Sequence, residues 1–502
     1  MDLKYLILMI AFATIEINVT ESRQNDKRRW KSDKSFYNSH YVNICDTDRG
    51  SKVHCYCEST KMKTATKADC WVFNGGIAVD DPFWSNFYSQ PKIERLTFNV
   101  RADGGLVYIP AKVIVRLDRL QYLNIQYGNI PTIPSFAFTN SSTLREISLP
   151  KNKITTLERM SFAHLIMLAN VSLVENQISE LKRDVFYVLP NLQRLHLSKN
   201  SIGVLHDGCF KHLNNLIELD LDGNMISVVI RENFQGLSNL ISLDMRNNKL
   251  TMIGDLAFAE LWSLQELYLD SNEIEFISER GFGGLTHLRK LYLADNKLDH
   301  LDDGVLDEVR KLMILHLRNN VLNTFTKDNV ENILDNLKTN YAAISLDGNK
   351  FTCDCRLSWM HQLRNETRSK RVRAALERFV CTIEQKEPNI ANKIEATTIA
   401  KDINKIAFNN IEDVKTYDED EVDEDKMYED TPVQLESVDS KIEYRKLMDI
   451  PFESLPCPHR LVTQDMFSLP TQDEIRDYIG SSGEKVRVSD VSLAIVLVVM
   501  LW

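Results

Sequence analysis

Eight asparagines recur at a fixed interval of 24 residues along the middle of the chain: Asn152, Asn176, Asn200, Asn224, Asn248, Asn272, Asn296 and Asn320. Each belongs to the same sequence motif, Leu-x-x-Leu-x-Leu-x-x-Asn-x-Ile, as in 192–202 and 264–274. A fixed period of this length indicates one short structural unit stacked many times, because each unit buries its apolar side chains only against its neighbours. The repeat therefore predicts one elongated solenoid over residues 91–352.

The pattern continues beyond the asparagines on both sides. One period earlier Gly128 occupies the asparagine position, and after a stretched interval Asn349 closes the array. Ten coils are clear, and a further strand near Leu96 predicts an eleventh. Each coil contributes one strand whose leucines point inward, and the asparagine amide pairs backbone groups where the chain turns. A phenylalanine spine is predicted to fill the interior, formed by Phe138, Phe162, Phe186, Phe210, Phe234, Phe258 and Phe282.

Composition and motifs argue for binding, not catalysis. The 502-residue chain has a formal net charge of −11, which argues against a general nucleic-acid binder. It contains no His-Glu-x-x-His motif, no phosphate loop and no Gly-x-Ser-x-Gly elbow. We therefore expect no enzyme activity, no cofactor and no small-molecule substrate.

The cysteines cluster at the two ends of the repeat array. Four precede the repeats, four follow them, and Cys209 alone lies within. A solenoid exposes its core at both ends, and secreted proteins close such ends with disulfides. The two Cys-x-Cys pairs are also compatible with metal ligation. Cys209 is expected to be a partly buried free thiol, with an intermolecular disulfide as the alternative.

The two chain ends carry targeting signals. The apolar run Tyr5–Ala13 predicts a secretory signal peptide. At the other end, the apolar stretch 491–502 is too short to cross a bilayer of about 30 Å of hydrocarbon. Small residues at 480–483 and a polar spacer precede it, a combination typical of a glycolipid (GPI) attachment signal. Gly480 or Ser481 is the predicted attachment residue.

The stretch from Phe351 to Trp359, Phe-Thr-Cys-Asp-Cys-Arg-Leu-Ser-Trp, resembles the start of the C-terminal cap of the extracellular leucine-rich repeat family. The resemblance implies an α/β fold, a leucine-rich repeat solenoid with a curved parallel sheet on its concave face, closed by disulfide-bonded caps. It also implies first-to-third and second-to-fourth cysteine pairing in each cap. The implied pairs are Cys45–Cys57, Cys55–Cys70, Cys353–Cys381 and Cys355–Cys457. The chain departs from the family pattern in the wide spacing of its last two cysteines, which implies an insertion.

The resemblance implies a cell-surface protein that binds another protein. The first hypothesis is homophilic cell adhesion, such as nerve–muscle recognition, with the protein held on the extracellular face of the plasma membrane by its glycolipid. A heterophilic receptor or co-receptor for a secreted ligand is the second, and a matrix protein the third. The expected organisation is a signal peptide (1–20), a basic flexible segment (21–42), an N-terminal cap (43–90), the repeats (91–352), a C-terminal cap (353–460) containing an acidic disordered insertion near 385–445, a stalk (461–483) and a removed tail (484–502).

Several sites of modification are predicted. The segment 417–430 contains nine acidic residues and is either a solubilising loop or an anionic arm for a basic partner. Tyr417 and Tyr428 lie beside these acids and are candidates for sulfation. Asn-x-Ser/Thr sequons predict N-glycans at Asn140, Asn170 and Asn365.

The positions between the inward leucines predict a partner-binding surface on the concave sheet. An acidic centre lies between basic coils there, and two tyrosines fall in adjacent coils about 4.8 Å apart. Opposite charges along one surface permit antiparallel self-docking. The candidate partner-binding residues are Asp220, Asp222, Asp244, Arg246, Tyr268, Asp270, Tyr292 and Arg318.

Overall fold

A computed structural model describes residues 42–384, apart from 48, 49, 74 and 103, and residues 442–457. The predicted signal peptide, sulfation sites and glycolipid attachment residues lie outside these ranges. The chain divides into two compact units, Met1–Leu455 and Pro456–Trp502. All the elements below belong to the first unit.

Among the described residues of this unit, one 13-stranded sheet runs in sequence order. Its first two strands form an antiparallel hairpin, and every later neighbour is parallel. Successive coils stay in register, so that Leu195, Leu219 and Leu243 lie side by side. The predicted solenoid with a parallel sheet is confirmed. The strands are Val53–Cys57, Lys67–Val72, Arg95–Val100, Tyr122–Gln126, Glu146–Ser148, Asn170–Ser172, Arg194–His196, Glu218–Asp220, Ser242–Asp244, Glu266–Tyr268, Lys290–Tyr292, Ile314–His316 and Ala343–Ser345.

The rest of each coil forms the outer side of the solenoid, away from this sheet. Its short strands are Thr132–Ile133, Phe138–Thr139, Thr156–Leu157, Phe162–Ala163, Glu180–Leu181, Phe186–Tyr187, Val204–Leu205, Met252–Ile253 and Phe276–Ile277. The 3-10 helices are Pro82–Ser89, Arg231–Phe234, Asp328–Ile333, Cys355–Leu357, Leu447–Asp449 and Phe452–Ser454. The α-helices are Ala111–Arg116, Leu334–Leu337, Trp359–Glu366 and Lys370–Arg378, and a hairpin pairs Val380–Glu384 with Ile442–Lys446.

The repeated asparagines form a buried ladder that ties each coil to both neighbours. Asn248 donates from Nδ2 to the carbonyl of Leu221 in the preceding coil (3.0 Å) and to that of Met245 in its own coil (3.1 Å). Its Oδ1 accepts from the backbone N–H of Ile226 at 3.0 Å. The amide thus satisfies backbone groups that the turn would otherwise leave buried and unpaired.

Gly128 begins the ladder for a steric reason. Its backbone N–H donates to Asn152 Oδ1 at 2.8 Å. A Cβ added at Gly128 would lie 2.7 Å from that same oxygen, so the Asn152 side chain would have to shift to accommodate it.

Apolar side chains from both sides of each coil form one continuous core. All seven spine phenylalanines are at most 1% exposed, and the rings of Phe138 and Phe162 stack with their centroids 5.1 Å apart. Full burial of such a side chain stabilises the fold by roughly 1.5–3 kcal/mol. The sheet side chains between the inward leucines are thereby left facing solvent.

Disulfides hold the caps at both ends of the core. The structure contains Cys45–Cys57, Cys55–Cys70 and Cys353–Cys381, the pairs implied by the resemblance. Cys355 and Cys457 are also disulfide-bonded, and their pairing with each other remains a prediction. Because the cysteines of both Cys-x-Cys pairs are in disulfides, the metal-ligand alternative is wrong.

Cys209 is a free thiol, fully inside the core and 3% exposed. It is therefore more deeply buried than the sequence indicated. Burial raises the pKa of this thiol far above its ordinary value. An intermolecular disulfide would require the coil to open.

Candidate protein-binding face

The parallel register brings the predicted binding residues together on the solvent side of the main sheet, which we call the sheet face. Asp220 lies beside Asp244, and Tyr268 lies beside Tyr292. These side chains flank the inward leucines because successive residues of a strand point to opposite sides. One face therefore carries the predicted residues from Asp220 to Tyr292, with Arg318 just beyond the strand that ends at His316.

An aromatic ladder, Tyr268, Tyr292 and His316, crosses three adjacent coils. The two tyrosine rings stack with centroids 4.7 Å apart and an interplanar angle of 12°. The ring of His316 meets Tyr292 edge-on at 4.7 Å. Burial lowers the pKa of His316, so the ladder ends in an imidazole that favours its neutral form.

Arg246 caps the other end of the ladder. Its guanidinium carbon lies 5.2 Å from the centroid of Tyr268, a cation–π contact. Its Nε donates to both carboxylate oxygens of Asp244 at 3.0 Å. The hydrogen bond to Asp244 raises the pKa of Arg246, so the cation is permanent. The contacts on two sides hold the guanidinium in one orientation.

The phenol of Tyr268 belongs to a small charged network. Its hydroxyl donates to Glu266 Oε2 at 2.8 Å, and Lys290 Nζ lies 3.0 Å from Glu266 Oε1. Burial, followed by the hydrogen bond to Glu266, raises the pKa of Tyr268 well above its ordinary value. The phenol is therefore neutral and able to donate at any physiological pH.

The carboxyl groups of the acidic centre differ in the direction in which their surroundings shift the pKa. Burial raises the pKa of Asp270 to about 6, although its Oδ1 accepts from the backbone N–H of Ala294 at 2.7 Å. For Asp220 burial acts in the same direction and is the largest single effect, but His196, the backbone N–H of Asp222 and Ser198 together outweigh it, so the pKa is lowered. The carboxylate of Asp220, 3.7 Å from Nδ1 of His196, in turn raises the pKa of His196. The charge of Asp270 therefore changes closer to neutral pH than that of an ordinary aspartate.

The basic coils expected on either side of the acidic centre are partly neutralised within the chain. Arg194 lies 3.5 Å from Glu218 and donates to Asn170 Oδ1 at 3.2 Å. Arg318 lies 3.1 Å from Asp347. Positive and negative side chains therefore alternate from one coil to the next along the sheet face. They do not form one large acidic region between two large basic regions.

Three predicted modification sites lie within the described residues. Asn140 and Asn365 are exposed, while Asn170 is half-buried on the sheet face beside Arg194. A glycan on Asn170 would cover the coils before Arg194 and leave Arg246 and the aromatic ladder open. The structure places Gly480, Ser481, Tyr417 and Tyr428 outside its described residues.

The sequence did not single out a groove along the edge of the sheet where the strands begin. It has a volume of about 520 Å³ and is lined by Asn191, Gln193, Asn215, Ile217, Asn239, Ile241, Ser263 and Gln265. Asn215 Nδ2 donates to the carbonyl of Pro190 at 2.7 Å, and Asn239 makes the same bond to Asn214 at 2.8 Å. The 24-residue spacing of these asparagines was the signal that could have revealed the groove.

Within the ranges that the structure describes, no cluster of three or more His, Cys, Asp or Glu side chains is arranged to hold a metal ion. No helix in the same ranges is long and apolar enough to cross a membrane.

Comparison with known proteins supports the repeat assignment. The leucine-rich repeat family matches seven overlapping ranges: 118–178, 166–226, 190–250, 218–274, 238–298, 262–322 and 286–333. The chain is 39% identical to connectin of Drosophila melanogaster over 88 residues, which cover 17% of this chain and only 13% of connectin.

Solved structures of leucine-rich repeat proteins are also similar. A chain of the Drosophila Toll–Spatzle complex is 21% identical with a TM-score of 0.49, and the match covers 62% of this chain and 45% of that chain. A leucine-rich repeat protein of Leptospira interrogans is 23% identical with a TM-score of 0.48, and the match covers 60% of this chain and 71% of that chain.

Proposed function

Since the chain is a leucine-rich repeat protein that resembles connectin over part of its length, we propose that it is a cell-surface adhesion protein. It binds a second copy of itself on an apposed cell through the sheet face. The disulfides of its caps support an extracellular location, because such bonds persist in oxidising compartments. A glycolipid at Gly480 or Ser481 would hold it on the membrane.

The observation that carries this proposal is the aromatic ladder with Arg246 at its end. Tyrosine and arginine are the residues most often found at the energetic centres of protein interfaces. Here ring stacking and the bonds to Asp244 and Glu266 already fix their side chains. A partner would therefore lose little side-chain entropy by binding them.

Charge on the same face supports self-recognition. In an antiparallel two-fold contact, residue i of one copy meets residue j of the other, and j meets i. With the axis between the strands of Asp244 and Tyr268, Asp220 of each copy lies opposite the strand of Lys290 in the other copy. The aromatic ladder then lies close to the centre of the interface.

Cell aggregation tests the proposal. Non-adherent cells expressing the chain are mixed with labelled cells that lack it, and self-adhesion predicts clusters of expressing cells alone. Tyr268→Ala and Tyr292→Ala should abolish clustering at equal surface level. Tyr341→Ala is the matched control, because that tyrosine is 79% exposed and lies apart from the ladder. Clustering unaffected by the ladder variants would contradict the proposed face.

The acidic centre provides a second variant. Replacing Asp220, Asp222 and Asp244 together by lysine should weaken clustering. Unchanged aggregation would indicate that the interface lies on the outer side, the caps or the acidic segment. Capture of non-expressing cells would instead favour the heterophilic receptor, for which the amide-lined groove offers a separate binding surface.

The membrane attachment is tested separately. Phosphatidylinositol-specific phospholipase should release the protein from the cell surface, and Gly480→Leu with Ser481→Leu should prevent its attachment. Retention on the membrane after phospholipase treatment would contradict the glycolipid. Two assays test the predicted modifications. A loss of mass on glycosidase treatment would show N-glycans, and it should depend on Asn140, Asn170 and Asn365. Incorporation of labelled sulfate should depend on Tyr417 and Tyr428.

A further inference from the structure

Four exposed apolar side chains line up on the outer side of the solenoid, and we call them the outer stripe. They are Val204, Val228, Met252 and Phe276, which recur every 24 residues and are 52%, 62%, 47% and 40% exposed. The backbones of Met252 and Phe276 pair in a parallel strand, which sets these two members about 4.8 Å apart. The stripe therefore occupies one equivalent position in four consecutive coils.

The stripe has defined ends. The same position is occupied by Glu180 in the preceding coil and by His300 in the following one. Both are about half exposed, and each already has an ionisable neighbour: Glu180 lies 2.9 Å from His206, and His300 lies 3.5 Å from Asp302. An apolar row with polar ends has the form of an interface centre with its rim.

Neighbouring side chains widen the row into a patch. Met225 is 58% exposed and Ile230 is 44% exposed, both in the coil of Val228. Scattered exposed apolar residues are normal on a soluble protein, but a contiguous patch of a few hundred Å² usually marks a contact surface. The stripe residues do not pack in the core, because the residues that follow two of them, Leu205 and Ile253, fill the core instead.

We propose that the outer stripe binds the outer stripe of a second copy about a two-fold axis between Val228 and Met252. Side-chain volume rises along the row, from two valines to methionine and phenylalanine. Antiparallel pairing places Val204 opposite Phe276 and Val228 opposite Met252, so a small side chain meets a large one at every level. Such pairing keeps the gap between the two copies even, which close packing requires.

The polar ends complement each other in the same arrangement, as an acidic and a basic side chain. In the third coil on either side of the axis, Glu180 of one copy lies opposite His300 of the other. A parallel pairing would instead place Phe276 against Phe276 and Glu180 against Glu180. The self-complementary order of sizes and charges is the reason for assigning the patch to a second copy and not to an unrelated protein.

This dimer goes beyond the adhesive contact and does not depend on it. The stripe and the sheet face lie on different sides of each coil, so one surface can be occupied while the other is free. Two chains joined at the stripe would present two sheet faces, and paired sites bind a paired target far more tightly than single sites do.

Disulfide trapping tests the register. Two full-length chains with different tags are expressed in one cell, one carrying Val228→Cys and the other Met252→Cys, and a mild oxidant is added. A disulfide-linked product containing both tags is expected. The control pair, Val204→Cys with Val228→Cys, is displaced by two coils and should give little product. Equal yields from both pairs would overturn the two-fold register.

Charge substitution tests the contact itself. Val228→Glu buries two carboxylates per dimer against apolar side chains, so co-precipitation of the two tags should fall by about 100-fold or more. Met252→Lys in the second chain should restore it by facing Glu at 228 with a cation. Val115→Glu, at a residue that is 74% exposed elsewhere, is the matched control. Association that survives Val228→Glu, or is lost equally with Val115→Glu, would overturn the proposal.

Folding and adhesion are monitored in the same samples. All substituted side chains are exposed, so secretion and melting temperature should match those of the unaltered chain. Aggregation between cells reports on the sheet face, whereas co-precipitation from a single cell reports on the stripe. A failure of either contact can therefore be recognised without the other.

Discussion

Replacing Asp184 by asparagine should destabilise the coils on the N-terminal side of the array. The carboxylate is 10% exposed on the outer side and joins three coils. Oδ2 accepts from Arg159 Nη2 at 2.8 Å, Oδ1 accepts from Lys211 Nζ at 2.8 Å, and His212 Nε2 lies 3.3 Å from Oδ1. Asparagine keeps the shape and tolerates the left-handed φ of 63° at this position.

The magnitude follows from the pKa of Asp184. The hydrogen bond from Lys211, reinforced by Arg159 and His212, lowers this pKa from 3.8 to about 2 against the opposing effect of burial. That difference corresponds to about 2.4 kcal/mol, since one pH unit equals about 1.36 kcal/mol. The partners are 67%, 38% and 29% exposed, so solvent screening reduces the expected loss to about 1–2 kcal/mol at pH 7.

The pH dependence distinguishes charge from shape. Because the folded-state pKa lies below the unfolded value, the stabilisation is present above about pH 4 and is lost as the pH falls towards 2. Urea unfolding of both proteins, with disulfides intact, should show a gap at pH 7 that closes near pH 2. Asp207→Asn, at an exposed aspartate nearby, should change stability by less than about 0.5 kcal/mol. A gap of equal size at both pH values would refute the electrostatic explanation.

Three further predictions concern single side chains of the array. Asn248→Ala should lower the free energy of unfolding by about 3 kcal/mol or more in urea titrations, because buried backbone groups lose their partner; a loss below about 1 kcal/mol would argue that water replaces the amide. Asp270→Asn should stabilise the protein at pH 7 and less so at pH 4. Because the pKa of Asp270 is raised to about 6, ionising this carboxyl group lowers the stability of the folded protein as the pH rises from about 4 through 6. Thermal melting at the two pH values checks the sign of this effect. Cys209 should resist iodoacetamide in the folded protein and react after denaturation, as burial raises its thiol pKa; rapid native labelling detected by mass spectrometry would contradict its burial.

The repeat period was enough to predict the sheet and the neighbours along it. Tyr268 and Tyr292 were expected about one strand spacing apart, and their ring centroids lie 4.7 Å apart. The period fixes which strands are adjacent, and adjacency in a parallel sheet fixes the spacing of equivalent side chains. The spine phenylalanines follow from the same periodicity.

The repeat pattern does not predict which charged side chains form ion pairs with each other. Arg246 folds back on Asp244 in its own coil, although Asp222 and Asp270 occupy the equivalent position in the two neighbouring coils. Long side chains select among several partners by rotamer and burial, which the repeat leaves open. Asp184 was missed for a different reason, since its cations lie on the irregular outer side, where path and spacing vary from coil to coil.

The asparagine ladder also determines where this chain can change its length. Asn349 makes the same bonds as the other ladder members, but it accepts from a residue 27 positions earlier, compared with 22 for Asn320. The additional residues belong to the helical outer segment 328–337, and the strand Ala343–Ser345 still pairs with its neighbour in register. Insertions on the outer side therefore leave the sheet undisturbed, whereas a single residue inserted between a strand and its asparagine would separate the amide from both of its coils. New loops could thus be grafted onto the back of each coil while the recognition surface in front stays constant.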